Sequence, residues 1–99
     1  MGGVFDKSVQ LRKVSDQIRL DFIWTDLGVI LTFAAVAETA YSMGRREHAE
    51  RTLTAAEKGY SDMLRYFYKA TGLAPEIEET FQAKFRQVRE RLDGLQRFR

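Results

Sequence analysis

The sequence predicts an all-α protein, an antiparallel three-helix bundle that runs up, down and up. Apolar residues recur at helical spacing along most of the chain. Only one proline, Pro75, occurs in 99 residues, so few points can break a helix. No segment has the period-two alternation of a strand, and no hairpin turn dipeptide separates two β-branched runs.

The first helix is expected over residues 15–43. Ser15 followed by Asp16 suits an N-cap, and one long helix fits the apolar period of about 3.6 residues. Gly28 leaves room for a kink or a break. The stripe expected to face the core consists of Leu11, Val14, Ile18, Phe22, Thr25, Val29, Phe33, Val36 and Ala40.

The domain is expected to cover residues 15–99. Residues 1–14 form an N-terminal extension that is either flexible or ordered. A chain of this length supports one domain with one modest core.

The second helix is expected over residues 45–70. Gly44 precedes it, and Gly72 follows it with the left-handed conformation that closes many helices. Its apolar residues follow a heptad pattern. They are Ala49, Leu53, Ala56, Tyr60, Met63, Phe67 and Ala70.

The third helix is expected over residues 75–97. Pro75 suits its first turn, and three glutamates follow where the helix dipole favours negative charge. Short links before and after the second helix favour antiparallel packing of neighbouring helices. The apolar face of the third helix consists of Ile77, Phe81, Phe85, Val88, Leu92 and Leu95.

A single hairpin motif occupies residues 33–56. Bulky residues, a turn glycine and small residues follow one another as Phe33, Val36, Ala37, Ala40, Gly44, Ala49, Leu53 and Ala56. This segment resembles one tetratricopeptide repeat, whose small residues let paired helices approach closely. The resemblance implies a binding function, with the third helix in the place of the next repeat. The three-helix layout is also similar to microtubule-interacting-and-trafficking domains, which bind helical peptides.

Composition narrows the class of protein. The absence of cysteine excludes disulfides and thiolate metal sites. The first residues lack the pattern of a secretory signal, so a cytoplasmic location is expected. The longest uncharged apolar run, residues 27–37, is shorter than the roughly 20 residues of a membrane-spanning helix, so no membrane span is expected.

The sequence offers little for catalysis, metals or cofactors, and we expect none of these. His48 is the single histidine, and a di-iron bundle needs Glu-x-x-His pairs on two helices. Asp26 and Glu38 are about 120° apart around the helix axis, so they do not form a catalytic pair. The glycines are isolated apart from Gly2-Gly3 at the start of the chain, and none forms a phosphate-binding loop.

The C-terminal segment is locally basic, which suggests an anionic partner such as nucleic acid as the alternative function. Arginines at a helix C-terminus are equally explained by the helix dipole. The candidate anion-binding residues are Lys84, Arg86, Arg89, Arg91, Arg97 and Arg99.

The chain has more apolar residues than one core needs. They either belong to broad helix faces that wrap the core or form an interface with another chain. We predict the interface, in a non-enzymatic interaction module that forms a homodimer or binds a helical segment of a partner. The predicted interface residues are Ile23, Trp24, Leu27, Leu31, Leu64 and Tyr68.

Overall fold

The computed structural model describes the backbone of residues 3–70 and 72–99 and the side chains of residues 16–70 and 72–99. It confirms an all-α three-helix bundle, in which the first helix packs against both others. The described residues form helix α1 at Gly3–Ser42, helix α2 at Arg46–Tyr68, helix α3 at Pro75–Leu95 and a 3-10 turn at Gln96–Phe98.

Aromatic contacts show the direction of the helices. Near one end of the bundle Trp24 meets Phe81 edge to face, with 5.2 Å between ring centroids. At the other end Tyr41 stacks on Phe98 at 4.9 Å. Helices α1 and α3 therefore run in the same direction, and α2, which connects them, runs in the opposite direction.

The start of α1 differs from the prediction. The helix begins at Gly3, so Ser15 lies inside it and is not its N-cap. No proline precedes Pro75, and the apolar period continues upstream of Ser15, so nothing in the sequence stops the helix there. The predicted extension over residues 1–14 is helical from residue 3, while residues 1 and 2 lie outside the described residues.

Helix α1 is one piece. It continues through Gly28, where a kink or a break was an alternative. A glycine inside a helix costs about 1 kcal/mol relative to alanine, which packing on two other helices can offset. Its 40 residues correspond to about 60 Å at 1.5 Å per residue, close to the 66 Å long dimension of the molecule.

Two glycines make the links between helices. Gly44 has φ 74° and Gly72 has φ 70°, the left-handed conformation that side chains with a Cβ rarely adopt. Helix α2 ends at Tyr68, slightly before the predicted residue 70. Thr71 lies outside the described residues. Pro75 occupies the first turn of α3, as predicted.

The core confirms the stripes of α2 and α3. From α2 it takes Ala49, Leu53, Ala56, Met63 and Phe67. From α3 it takes Phe81, Phe85, Val88, Leu92 and Leu95. Of the predicted stripe residues, Tyr60 and Ala70 are half-buried and Ile77 is exposed.

The core face of α1 differs from the prediction. Among the described side chains of the predicted stripe, only Ala40 is buried. Leu11 and Val14 lie outside the described side chains. Helices α2 and α3 cover another side of α1, which we call the inner stripe. The inner stripe consists of Leu20, Ile23, Leu27, Ile30, Ala34, Ala37 and Tyr41.

Candidate interaction surface

The opposite side of α1 forms an exposed apolar stripe, which we call the outer stripe. All its members are exposed, and their spacing alternates between four and three residues. At 1.5 Å per residue the stripe is about 38 Å long. The outer stripe consists of Ile18, Phe22, Thr25, Val29, Thr32, Val36, Thr39 and Met43.

Small residues explain why α2 covers the inner stripe. Ala34 and Ala37 of α1 and Ala49 and Ala56 of α2 are all fully buried. Small side chains let two helix backbones approach closely, so the α1–α2 contact forms on the alanine side. The outer stripe contains no alanine, and its side chains remain on the surface.

The predicted interface residues do not form one surface. Ile23 and Leu27 are 0% exposed, so placing them on a free face is wrong. Leu31 and Leu64 are half-buried against the core. The reason is geometric: Ile23, Leu27 and Leu31 belong to the side of α1 that α2 and α3 cover, whereas the other residue lies on α2 against the same core.

The two remaining predicted residues are exposed at separate places. Trp24 contacts Phe81, and the Nζ atom of Lys84 lies 5.1 Å from the centroid of its indole ring. Tyr68 is 73% exposed near the end of α2. Neither residue belongs to the outer stripe.

A shallow apolar groove of about 320 Å³ lies at the Gly44 end of the outer stripe. Small side chains, including Ala35 and Thr39, form part of its wall, together with the larger Met43. His48, the single histidine, is exposed there as expected. The lining residues are Thr32, Ala35, Val36, Thr39, Ala40, Met43, Arg45 and His48.

Charges are scarce along this face. Between residues 27 and 44 the only charged residue is Glu38, which forms an ion pair with Arg91 of α3. Asp21 is exposed and Asp26 half-buried near one end of the outer stripe. Arg45 follows its other end, and the long middle section is uncharged. Such a face favours an apolar neighbour.

Arg89 links α3 to α2. Its Nη1 and Nη2 atoms donate to both carboxylate oxygens of Glu57, at 2.9 and 2.7 Å, and its Nε donates to Asp93 at 2.9 Å. The guanidinium also lies 4.9 Å from the centroid of the Tyr60 ring. The hydrogen bonds to Glu57 raise the pKa of Arg89 above its ordinary value. The guanidinium of Arg89 therefore donates its hydrogen bonds within the bundle.

The candidate anion-binding residues point in several directions. Lys84 and Arg91 reach toward α1, whereas Arg89 reaches toward α2. Arg99 donates to the hydroxyl of Thr54 at 3.3 Å, and Arg97 lies over the Phe98 ring. These side chains do not converge on one phosphate-sized site. Arg86 lines a groove between α2 and α3.

No group of three or more His, Cys, Asp or Glu that could hold a metal occurs among the described residues. By length and composition alone, the Asp16–Ser42 part of α1 could cross a membrane. The sequence prediction considered an unbroken uncharged run, whereas a spanning helix tolerates a few charges near its ends. About a third of the most apolar window is buried inside the bundle.

Comparison of the chain with protein-family models, with curated proteins and with solved structures finds no match. The likenesses to a tetratricopeptide repeat and to microtubule-interacting-and-trafficking domains therefore remain predictions. Within the predicted hairpin, Ala37, Ala49 and Ala56 are buried, as close helix packing requires. Phe33 is instead exposed on the outer side of α1.

Proposed function

We propose that this chain is a small non-enzymatic interaction module that self-associates through the outer stripe of α1. The single observation that carries the proposal is the exposure of eight regularly spaced, uncharged residues over about 38 Å. A contiguous exposed apolar surface of this kind typically marks an interface. Helices α2 and α3 cover the inner stripe on the opposite side of α1, so the outer stripe has room for another helix.

A second copy is the occupant that fits the stripe best. Symmetric homodimers are the commonest protein assemblies, and a face used twice must complement itself in shape and charge. The outer stripe has a heptad pattern, which is the pattern of helices that pack against an equivalent helix. The Gly44-end groove adds a hollow in which a bulky side chain of the second copy can lie.

A membrane is a poorer occupant. Spanning a bilayer with Asp16–Ser42 would remove α1 from the other two helices. The Glu38–Arg91 ion pair would be lost, and core residues such as Leu53 and Leu92 would become exposed. Burying a Leu side chain contributes about 1.5–3 kcal/mol, so exposing the whole core would cost much more than one ion pair.

The test replaces one residue of the outer stripe and one matched residue elsewhere. Val36 is 42% exposed on the outer stripe, and Ile77 is 40% exposed in the first turn of α3. Val36→Asp places an unpaired carboxylate in the proposed interface and is expected to raise the Kd of the dimer about a hundredfold or more. Ile77→Asp is expected to leave the dimer unchanged.

Light scattering over a wide dilution range, in low and high salt, measures the molar mass of each variant. Circular dichroism confirms that each remains helical. The proposal expects a wild-type dimer that does not weaken with salt, because its interface is apolar. A wild-type monomer, or equal effects of the two variants, would contradict it. Flotation of a monomeric wild type with phosphatidylglycerol vesicles would identify a lipid surface as the occupant instead.

A further inference from the structure

The members of the outer stripe alternate in size. One position of each heptad is bulky, and the other is a threonine in three of four cases. The bulky positions are Phe22, Val29, Val36 and Met43, and the others are Ile18, Thr25, Thr32 and Thr39. A helix pair built from this stripe can therefore place either like residues or unlike residues opposite each other.

We infer that two copies of this chain pair antiparallel along α1, about a two-fold axis midway between residues 30 and 31. The inference rests on the proposed self-association and specifies its geometry. Reversal about that point maps the outer stripe onto itself. The facing pairs are Ile18 with Met43, Phe22 with Thr39, Thr25 with Val36, and Val29 with Thr32, each formed twice.

Side-chain size favours this arrangement over a parallel pair. In the antiparallel pair each threonine faces a larger apolar residue, and no layer holds two threonines or two phenylalanines. In a parallel pair in register, Phe22 would face Phe22 and Thr39 would face Thr39. Layers that are alternately crowded and underfilled cost packing energy, because helix interfaces are close-packed.

The groove at the Gly44 end fits the same arrangement. Phe22 of each copy comes to lie opposite Thr39 of the other, within the groove of about 320 Å³. Ala40 and Met43 form part of its lining. The ring of Phe22, which is exposed in the single chain, would thus be covered by an apolar surface already present in the second copy.

Thr32, near the centre of the stripe, can be covered without a large polar penalty. The Oγ1 hydroxyl of Thr32 already donates to the backbone carbonyl of Gly28, at 3.2 Å. A hydroxyl that is hydrogen-bonded within its own helix does not need water. Thr32 can therefore face Val29 of the second copy with its donor satisfied.

Charge also distinguishes the two directions. Asp21 and Asp26 flank the outer stripe at the two positions that pair across a parallel coiled coil. A parallel dimer would bring Asp21 of each copy beside Asp26 of the other, giving two repulsive pairs. In the antiparallel dimer Asp21 approaches Ser42, and Asp26 approaches Phe33. Opposed helix dipoles add a favourable term.

The natural chain has no cysteine, so introduced cysteines report on this geometry without background. The variants are Phe22→Cys and Thr39→Cys, each oxidised alone and as an equal mixture under mild conditions. A disulfide requires Cα atoms within about 7 Å. We expect the mixture to give mixed disulfide-linked dimers in about tenfold excess over the product of either variant alone.

A second pair, Thr25→Cys and Val36→Cys, guards against loss of the dimer through truncation of Phe22. The molar mass of each reduced variant is measured before oxidation. Dimers that cross-link only as single variants would show a parallel pair and overturn the inference while leaving the proposed function intact. Dimers without cross-links in any combination would also overturn it. Reduced proteins that are all monomeric would overturn both.

Discussion

The inner and outer stripes of α1 are both uncharged and both follow a heptad spacing, yet only the inner stripe is buried by α2 and α3. The two stripes differ in composition. Ala34 and Ala37 on the inner stripe are fully buried, as are Ala49 and Ala56 of α2, and small side chains let helix backbones come close. The outer stripe alternates bulky residues with threonine. The side that faces the core therefore differs from the exposed side both in its small residues and in its lack of threonine.

The largest expected effect separates the two stripes by their contribution to stability. Leu27→Ala on the inner stripe leaves a cavity at a fully buried position and is expected to lower the free energy of unfolding by about 3 kcal/mol. Val29→Ala on the outer stripe is expected to cost less than about 1 kcal/mol. Urea unfolding at a concentration where the chain is monomeric measures both. Equal losses would mean that the outer stripe is also packed within one chain.

Two glycines, one on α1 and one on α2, allow a second comparison of packed and open positions, with a smaller expected change in stability. A Cβ added at Gly28, between the stripes, meets nothing within 4 Å, whereas one at Gly59 would lie 3.3 Å from two side-chain atoms of Ile30. Gly28→Ala is expected to stabilise the monomer by about 1 kcal/mol through helix propensity. Gly59→Ala is expected to gain less, because Ile30 must shift.

Thermal unfolding of both glycine variants at high dilution tests this prediction. A larger gain at Gly59 than at Gly28 would show that the contact between α2 and the inner stripe is looser than the structure indicates.

The smallest effect concerns Tyr60, on the side of α2 that faces the core. Burial raises its pKa, although Arg89 acts in the opposite direction. The folded chain then holds the phenolic proton more tightly than the unfolded chain, which adds to the free energy of unfolding. This contribution to stability is complete below the unfolded pKa of about 10. It is lost as pH rises through the folded pKa. Tyr60→Phe should remove this part of the decline in stability, which urea unfolding from pH 8 to 11 would detect. Identical slopes for the two proteins would contradict it.

The sequence predicted α2 and α3 well because their polar and apolar residues lie on opposite sides. Pro75, Gly44 and Gly72 also punctuate the chain where the structure turns. For α1 the same method failed to choose the buried side, because both of its sides are apolar. The sequence signal for the buried side is the set of small residues on both helices, Ala34 and Ala37 of α1 and Ala49 and Ala56 of α2. They predict close helix packing, and close packing also indicates which side of α1 is buried.

The structure changes which apolar residues of α1 are candidates for an interface. An apolar surplus pointed to an interface, and the structure does expose apolar residues along α1. Ile23 and Leu27 lie outside the stripe that the periodicity predicts for the core, and the structure buries them instead. Because the inner stripe is buried and the outer stripe is exposed, the candidate interface moves to residues of the outer stripe such as Val29, Val36 and Met43.

The central claim is that the outer stripe, and not the inner stripe, contacts a second copy. The most direct test is an isotope-filtered NMR measurement on a mixture of labelled and unlabelled chains, which detects only contacts between copies. We expect intermolecular contacts from the methyl groups of Val29, Val36 and Met43 and none from Ile23 or Leu27. Intermolecular contacts at Ile23 or Leu27, or none at all from the outer stripe, would contradict it.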